Sequence, residues 1–150
     1  MTKNEQAFLD MISLSEGTST IPDSDNGYRV VVGGSLFDSY SDHPRKLVTL
    51  NKAGLKSTAA GRYQILARIY DHYKESLHLP DFSPDSQDRI ALQLIKECKA
   101  LDAINRGDFD KAVELCRSRW ASLPGAGYGQ HENDIEKLRL AYLDAGGAIV

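Results

Sequence analysis

The chain has 150 residues, of which 41% are hydrophobic and 26% charged, and its formal net charge is −3 at pH 7. This length predicts a single domain with a sizeable core, and the composition is typical of a globular protein. The mildly acidic charge, without a dense run of Lys and Arg, argues against nucleic-acid binding. No apolar run approaches the roughly 18 residues of a membrane span, and the first ten residues do not resemble a secretory signal. We therefore expect a cytosolic protein without stable membrane association.

The first predicted element is a helix that ends in an inward-facing carboxylate. Asn4 is a candidate N-cap, and Phe8 and Ile12 lie on one apolar stripe. Glu16 continues that stripe and is followed by Gly17, which suits the left-handed position after a helix. Burial and the carbonyl end of the helix would both raise the pKa of Glu16, as a general acid for glycosidic cleavage requires. Alternatively, Glu16 only closes the helix and points to solvent.

A small β region is predicted after the first helix. The valine run at residues 30–32, the glycine pair at residues 33–34 and the apolar pair at residues 36–37 indicate a β-hairpin. Turn signals follow around a brief apolar segment at residues 47–50. The predicted β lobe therefore covers roughly residues 18–56.

From Ser57 onward the pattern is helical. Apolar side chains recur every three or four residues over residues 63–77. A serine–proline pair at residues 83–84 is typical of the start of a helix, and Asp108 is a candidate cap of a further one. The last predicted helix ends at the glycine pair of residues 146–147. The predicted fold class is α+β, with a helical body, a small β-hairpin lobe inserted after the first helix, and a cleft between them.

Three short motifs occur in order along the chain: SEGT at residues 15–18, GRYQ at residues 61–64 and GAGYGQ at residues 125–130. Together with longer stretches such as YSDHPRKLVTL and WASLPGAGYGQ, they resemble the lambda-type phage endolysins. These belong to the lytic transglycosylase branch of the lysozyme-like superfamily. The resemblance implies a single lysozyme-like domain over residues 1–150, with a glycan-binding cleft.

The resemblance also implies an activity and a set of site residues. Peptidoglycan would be cleaved between N-acetylmuramic acid and N-acetylglucosamine without water, leaving 1,6-anhydro-N-acetylmuramic ends. By its position in SEGT, Glu16 would be the catalytic acid and base. Gln64 would bind sugar amides or hydroxyls, while Tyr63 would be either a stacking wall or a core residue. Tyr128 would stack on a sugar or place its hydroxyl near the anomeric carbon, and Gln130 is a further candidate for substrate contact.

A hydrolytic muramidase that uses Glu16 and Asp25 is the alternative. Asp25 follows in the predicted β lobe, where a second carboxylate could stabilise an oxocarbenium ion or position a water. The threonine that the hydrolytic pattern places after this aspartate is missing, since residues 29–32 are Arg and three Val. A wall-binding module without activity is a third hypothesis, and it would not need an inward-facing Glu16.

Several other residues allow two interpretations. Arg62 would form a structural ion pair or contact acidic stem peptides. Tyr28 and Tyr40 would either pack or face the cleft. Cys98 and Cys116 have no metal-ligand spacing to each other or to a histidine, so we expect reduced thiols. No metal or cofactor is implied.

The biological setting follows from the resemblance alone. It implies that the protein accumulates in the host cytoplasm and reaches the periplasm and cell wall at lysis, after a separate phage-encoded holin has opened the inner membrane. The expected partners are peptidoglycan glycan strands. A monomer is expected because no oligomerisation signal stands out.

Overall fold

The structure is a computed structural model that describes residues 1–127 and 131–150. The chain divides into two compact units. The first unit comprises Met1–Glu16 and Ala91–Val150, and the second comprises Gly17–Ile90. That the two units act as one domain stays a prediction.

Six helices and one two-stranded antiparallel sheet form the regular structure of the described residues. In chain order they are α1 (Lys3–Glu16), β1 (Val48–Thr49), β2 (Lys56–Ser57), α2 (Ala67–Ser76), α3 (Pro84–Glu97), α4 (Leu101–Asn105), α5 (Phe109–Cys116) and α6 (Ile135–Asp144). Within this described part, none of the helices has the length and apolarity to span a bilayer. The predicted α+β class is confirmed.

Helix α1 begins with a reciprocal cap that the sequence analysis did not identify. Thr2 Oγ1 accepts a hydrogen bond from the backbone N–H of Glu5 at 3.1 Å, and Glu5 Oε1 accepts one from the N–H of Thr2 at 3.2 Å. The predicted N-cap, Asn4, is therefore wrong, because this residue lies inside the first turn. Its amide donates to the carbonyl of Ile104 at 2.9 Å and accepts from the N–H of Ala148 at 3.0 Å. Asn4 thus links α1 to α4 and to the C-terminal segment.

Three aromatic rings form the centre of the first unit. Phe8 on α1, Phe109 on α5 and Tyr142 on α6 are all buried, with ring centroids 4.9 to 6.4 Å apart. Helix α1 packs against α6 and α4, and α4 packs against α5. Asp108 caps α5 as predicted, since its side chain accepts from the backbone N–H of Lys111 at 3.2 Å.

The apolar side chains that recur at helical spacing from Ile90 to Leu101 belong to two helices. Helix α3 starts at Pro84 as predicted but ends at Glu97. Lys99 then adopts a left-handed conformation with φ of 60°, which an α-helix does not accommodate. Leu101 begins the short helix α4. The apolar periodicity continues across the break between α3 and α4, where the sequence contains neither Gly nor Pro.

The predicted hairpin in the second unit is smaller than expected. The glycine pair at residues 33–34 does form a turn with positive φ, but Val30 and Leu36 make only an isolated bridge. Val31 pairs with Ala60 instead of extending the hairpin. The valine run therefore serves to hold a distant segment of the chain.

The regular sheet lies further along, where β1 and β2 pair in antiparallel register. The sequence predicts turns around β1 and a helical pattern from Ser57. The helix prediction is wrong for residues 57–66. Helix α2 begins only at Ala67. Gly61, with φ of 81°, and Gln64, with φ of 53°, both have left-handed backbones that interrupt a helix.

His43 is buried in the core of the second unit. Its ring lies 4.9 Å from that of Phe82 and 5.9 Å from that of Tyr70, measured between centroids. Nδ1 accepts from the backbone N–H of Arg45 at 2.9 Å, so Nε2 carries the proton and donates to the carbonyl of Ile65 at 2.8 Å. Burial of this neutral ring lowers the pKa of His43.

Candidate active site

Glu16 is the last residue of α1, and its side chain is half-buried. Phe8 and Ile12 on the same stripe have no accessible surface, so the predicted inward placement of this stripe is confirmed. Gly17 leaves the helix with φ of 74°, and a Cβ there would meet no atom within 4 Å. Glycine is therefore needed for its backbone conformation and not for close packing.

The surroundings of Glu16 shift its acidity in the direction expected of a general acid. Burial raises the pKa of Glu16 from 4.5 to about 7, and a hydrogen bond with the side chain of Ser122 acts in the opposite sense. The carboxyl is therefore partly protonated near neutral pH. Its contact with Ser122 also shows that the side chain does more than close the helix and point to solvent.

A series of polar contacts within the first unit lies next to Glu16. Ser15 Oγ lies 2.7 Å from Ser122 Oγ. The side-chain amide of Asn133 donates to the carbonyl of Ser15 at 2.8 Å and to its hydroxyl at 3.1 Å. The backbone N–H of Asn133 donates to the carbonyl of Ser122 at 2.8 Å. Ser122 and Asn133 were not among the predicted site residues, because nothing in the spacing of two serines and an asparagine indicates that they meet.

The GRYQ segment is held from inside the second unit. Arg62 is buried, its backbone N–H donates to Gln87 Oε1 at 2.9 Å, and its Nε donates to the carbonyl of Asn26 at 3.0 Å. A Cβ at Gly61 would collide with the Gln87 side chain. Of the two interpretations of Arg62, these contacts favour the structural one.

Tyr63 lies in the core of the second unit. Its side chain has no accessible surface, and its hydroxyl donates to Asp88 Oδ1 at 2.6 Å. The hydroxyl of Tyr28 donates to the same oxygen at 2.8 Å, while burial raises the pKa of Asp88. A ring without accessible surface cannot stack on a sugar, so the structure favours the core interpretation of Tyr63.

Gln64 is half-buried at the turn that precedes α2. Its side-chain amide donates to the carbonyl of Gly61 at 2.9 Å and approaches the carbonyl of Val30 at 3.5 Å. These contacts hold a left-handed residue in place. A role of Gln64 in binding sugars stays a prediction.

The structure describes residues 125–127 of the GAGYGQ segment. Tyr128 and Gln130, the two predicted contacts, lie outside the described residues. The carboxylate of Glu132, which follows this segment, accepts hydrogen bonds from the backbone N–H groups of Gly125 and Gly127, both at 2.9 Å. These bonds hold the pKa of Glu132 below its usual value. Glu132 is a further residue that the sequence analysis missed.

Asp25, the alternative second carboxylate, is exposed in the second unit and has a left-handed backbone with φ of 53°. Its Oδ2 accepts a hydrogen bond from the hydroxyl of Tyr40. This contact gives Tyr40 a local structural partner. Participation of Asp25 in catalysis stays a prediction.

The remaining titratable side chains include two cysteines and scattered histidines and carboxylates. Among residues 1–127 and 131–150, no group of three or more His, Cys, Asp or Glu side chains could hold a metal ion. Cys98 and Cys116 are free thiols in hydrogen-bond contact with each other. That contact lowers the pKa of Cys98 to about 7.

The fold has close structural relatives. The structure matches that of bacteriophage lambda lysozyme complexed with a chitohexasaccharide, with a TM-score of 0.97 and 53% identity over 100% of this chain and 98% of that chain. It also matches lysozyme from bacteriophage lambda, with a TM-score of 0.92 and the same identity and coverage. The architecture is therefore the lysozyme-like α+β fold that the sequence predicted.

The sequence comparisons narrow this class to a family. The endolysin family model matches residues 6–149. The chain is 54% identical over 151 residues to the endolysin of Escherichia phage lambda, covering 99% of this chain and 95% of that protein. It is 51% identical over 155 residues to the endolysin of Escherichia phage P2, covering 97% of this chain and 94% of that protein. The chain belongs to the endolysin family, which confirms the resemblance drawn from the three motifs.

Proposed function

We propose that this endolysin degrades bacterial peptidoglycan by cleaving the β-1,4 bond between N-acetylmuramic acid and N-acetylglucosamine without adding water. Glu16 is the single acid and base in this proposal, and the products carry 1,6-anhydro-N-acetylmuramic ends. The observation that carries it is the placement of Glu16 at the end of α1, where burial raises its pKa to about 7. A group with this pKa is available both as an acid and as a base at the same, near-neutral pH.

The class of substrate is supported by the relatives. A solved relative with 53% identity carries a chitohexasaccharide, an amino-sugar oligomer. The glycan strand of peptidoglycan is likewise a polymer of amino sugars. Membership of the endolysin family supports the cell wall as the target.

The reaction needs Glu16 to give up one proton and then to take up another. Protonated Glu16 gives its proton to the glycosidic oxygen, the bond from this oxygen to C1 of the muramic residue breaks, and positive charge develops at C1. The resulting carboxylate then takes the proton of the C6 hydroxyl, whose oxygen bonds to C1. Glu16 is protonated again at the end, so the step consumes neither water nor a second carboxylate.

Hydrolysis with Glu16 and Asp25 is the second candidate. It is supported by the name lysozyme of the solved relatives and by the exposed carboxylate of Asp25. In this mechanism water attacks C1 in place of the C6 hydroxyl, and the fragments carry reducing muramic ends.

Mass spectrometry of the fragments released from purified peptidoglycan separates the two candidates. We expect anhydromuramic ends from the wild type, none from Glu16→Gln, and wild-type products from Asp25→Asn. Glu114→Gln, which removes an exposed carboxylate on α5, is the matched control and should behave as wild type. Reducing ends that disappear in Asp25→Asn would establish the hydrolase, and no release by the wild type would refute both.

We also propose that the protein acts as a monomer, accumulates in the host cytoplasm and requires a holin to reach the wall. Family membership supports this setting. Cells that express the chain alone should remain turbid until chloroform opens the inner membrane. Lysis without that treatment would contradict the proposed dependence.

A further inference from the structure

The polar contacts behind Glu16 have a defined direction. The side-chain nitrogen of Asn133 is identified by its acceptors, because it lies 2.8 Å from the carbonyl of Ser15 and 3.5 Å from that of Ser122. This nitrogen can only donate. The Ser15 hydroxyl, 3.1 Å away, therefore accepts from it.

The contact with Glu16 determines where the remaining hydroxyl hydrogens point. The hydrogen bond from Ser122 lowers the pKa of Glu16, so Ser122 donates its single hydrogen to the carboxylate. Ser122 Oγ must then accept in its 2.7 Å contact with Ser15 Oγ, and Ser15 donates its own hydrogen there. Asn133 thus donates to Ser15, Ser15 to Ser122, and Ser122 to the carboxylate of Glu16.

The backbone holds the two serines in place. Ser15 is within α1, one residue before Glu16, and is buried. The carbonyl of Ser122 accepts from the backbone N–H of Asn133 at 2.8 Å. Asn133 is itself buried and directly precedes Asp134, which caps α6. The donor to Glu16 is thus positioned by α1 and by the start of α6.

We propose that Ser122 is a positioning residue for Glu16, with Asn133 and Ser15 setting the direction of its hydroxyl so that it donates to the carboxylate formed when Glu16 gives up its proton. This inference rests on the proposed role of Glu16 as acid and base. Negative charge develops on Glu16 as the glycosidic oxygen is protonated. A preorganised donor stabilises that charge without reorganisation.

The Ser122 hydroxyl opposes the effect of burial on the pKa of Glu16. In the described part of the chain, burial and Ser122 are the two causes of the shifted pKa of Glu16. Three charged side chains adjoin the segment that carries Ser122: Glu132, which accepts from two backbone N–H groups, Arg117, which borders Gly125, and Arg119, which pairs with Glu97. None of the three shifts the pKa of Glu16.

The test compares Ser122→Ala with Ser122→Thr and Ser118→Ala. Loss of the donor should raise the pKa of Glu16, read from the carboxyl carbon by NMR titration, and move the alkaline limb of kcat/KM to higher pH. A hydrogen bond to a charged group is worth about 1.5–3 kcal/mol, so kcat should fall roughly tenfold or more. Ser122→Thr keeps a hydroxyl and should restore both values. Ser118, exposed and four residues earlier in the chain, is the matched control.

Ser15→Ala tests the direction of the chain. It leaves Ser122 in place but frees its hydroxyl to rotate, so the pKa of Glu16 should rise by less than in Ser122→Ala. An unchanged titration in Ser122→Ala would overturn the positioning role. A shift of the pKa of Glu16 in Ser122→Ala without any shift in Ser15→Ala would overturn the proposal that Ser15 sets the direction of the Ser122 hydroxyl. Because the NMR titration does not depend on turnover, it remains informative if the wild type releases no fragments, which would refute only the proposed function.

Discussion

Glu16 should destabilise the folded protein at neutral pH, and Glu16→Gln should therefore stabilise it. The folded state holds this carboxyl at a pKa of about 7, against 4.5 for an unperturbed glutamate. Below pH 4.5 both states are protonated, and the substitution should have little effect. Between pH 4.5 and 7 the unfolded state releases its proton first, so stability is lost as the pH rises through this range.

The size of the effect follows from the difference between the two pKa values. The difference of about 2.5 corresponds to about 3 kcal/mol at roughly 1.36 kcal/mol per pKa unit, and it is fully present above pH 7. For a chain of this size, that free energy corresponds to a rise in Tm of roughly 6–12 °C. Glutamine retains an oxygen that can accept from Ser122, so the substitution removes the titration with little change in packing.

Urea unfolding of both proteins at pH 4 and pH 8 measures this difference. Glu132→Gln is the control with the opposite sign. Its carboxylate accepts two backbone hydrogen bonds that lower its pKa, so its replacement should destabilise the protein at pH 8. Equal stability of wild type and Glu16→Gln at pH 8 would refute the argument that burial raises the pKa of Glu16.

Three further predictions concern the fold around the site. Tyr63→Phe removes the hydroxyl that donates to Asp88 at 2.6 Å, so the free energy of unfolding should fall by about 1–3 kcal/mol. Wall-cleaving activity should be retained, and loss of activity at unchanged stability would argue against the core interpretation. Asp108→Ala should cost about 1 kcal/mol by removing the cap of α5, whereas Asp108→Asn should cost less; equal urea midpoints for all three proteins would contradict the cap. Burial lowers the pKa of His43, so the stability that its neutral ring contributes should be lost as the pH falls below about 6.5. Thermal melts of Glu16→Gln, which lacks the opposing titration of Glu16, should show this loss, and a flat profile would count against it.

Local signals were sufficient where the structure depends on near neighbours. The apolar stripe through Phe8 and Ile12, the helix end at Gly17 and the cap at Asp108 were all predicted from residues within a few positions of each other. Competing local signals caused the first error, since Asn4 and Thr2 are both plausible caps. The capping box with Glu5 decides for Thr2.

The errors in the second unit have a tertiary cause. The valine run at residues 30–32 could pair along its own hairpin, but Val31 bridges to Ala60. The segment at residues 57–66 has a helical period, yet left-handed residues at Gly61 and Gln64 turn it back on itself. Hydrogen bonds to Gln87, Gly61 and Val30 hold this turn. Such contacts override local propensity, and a single sequence does not reveal them.

The sequence by itself determined that a carboxylate ends the first helix on its apolar face, and the motifs around it indicated the family. Both depend on the order of residues along the chain. Only the tertiary structure decided that the pKa of Glu16 rises to about 7, that Tyr63 is a core residue and that Ser122 and Asn133 lie behind the acid. Burial and hydrogen-bond direction depend on which distant segments meet, and Ser15 and Asn133 are 118 positions apart along the chain.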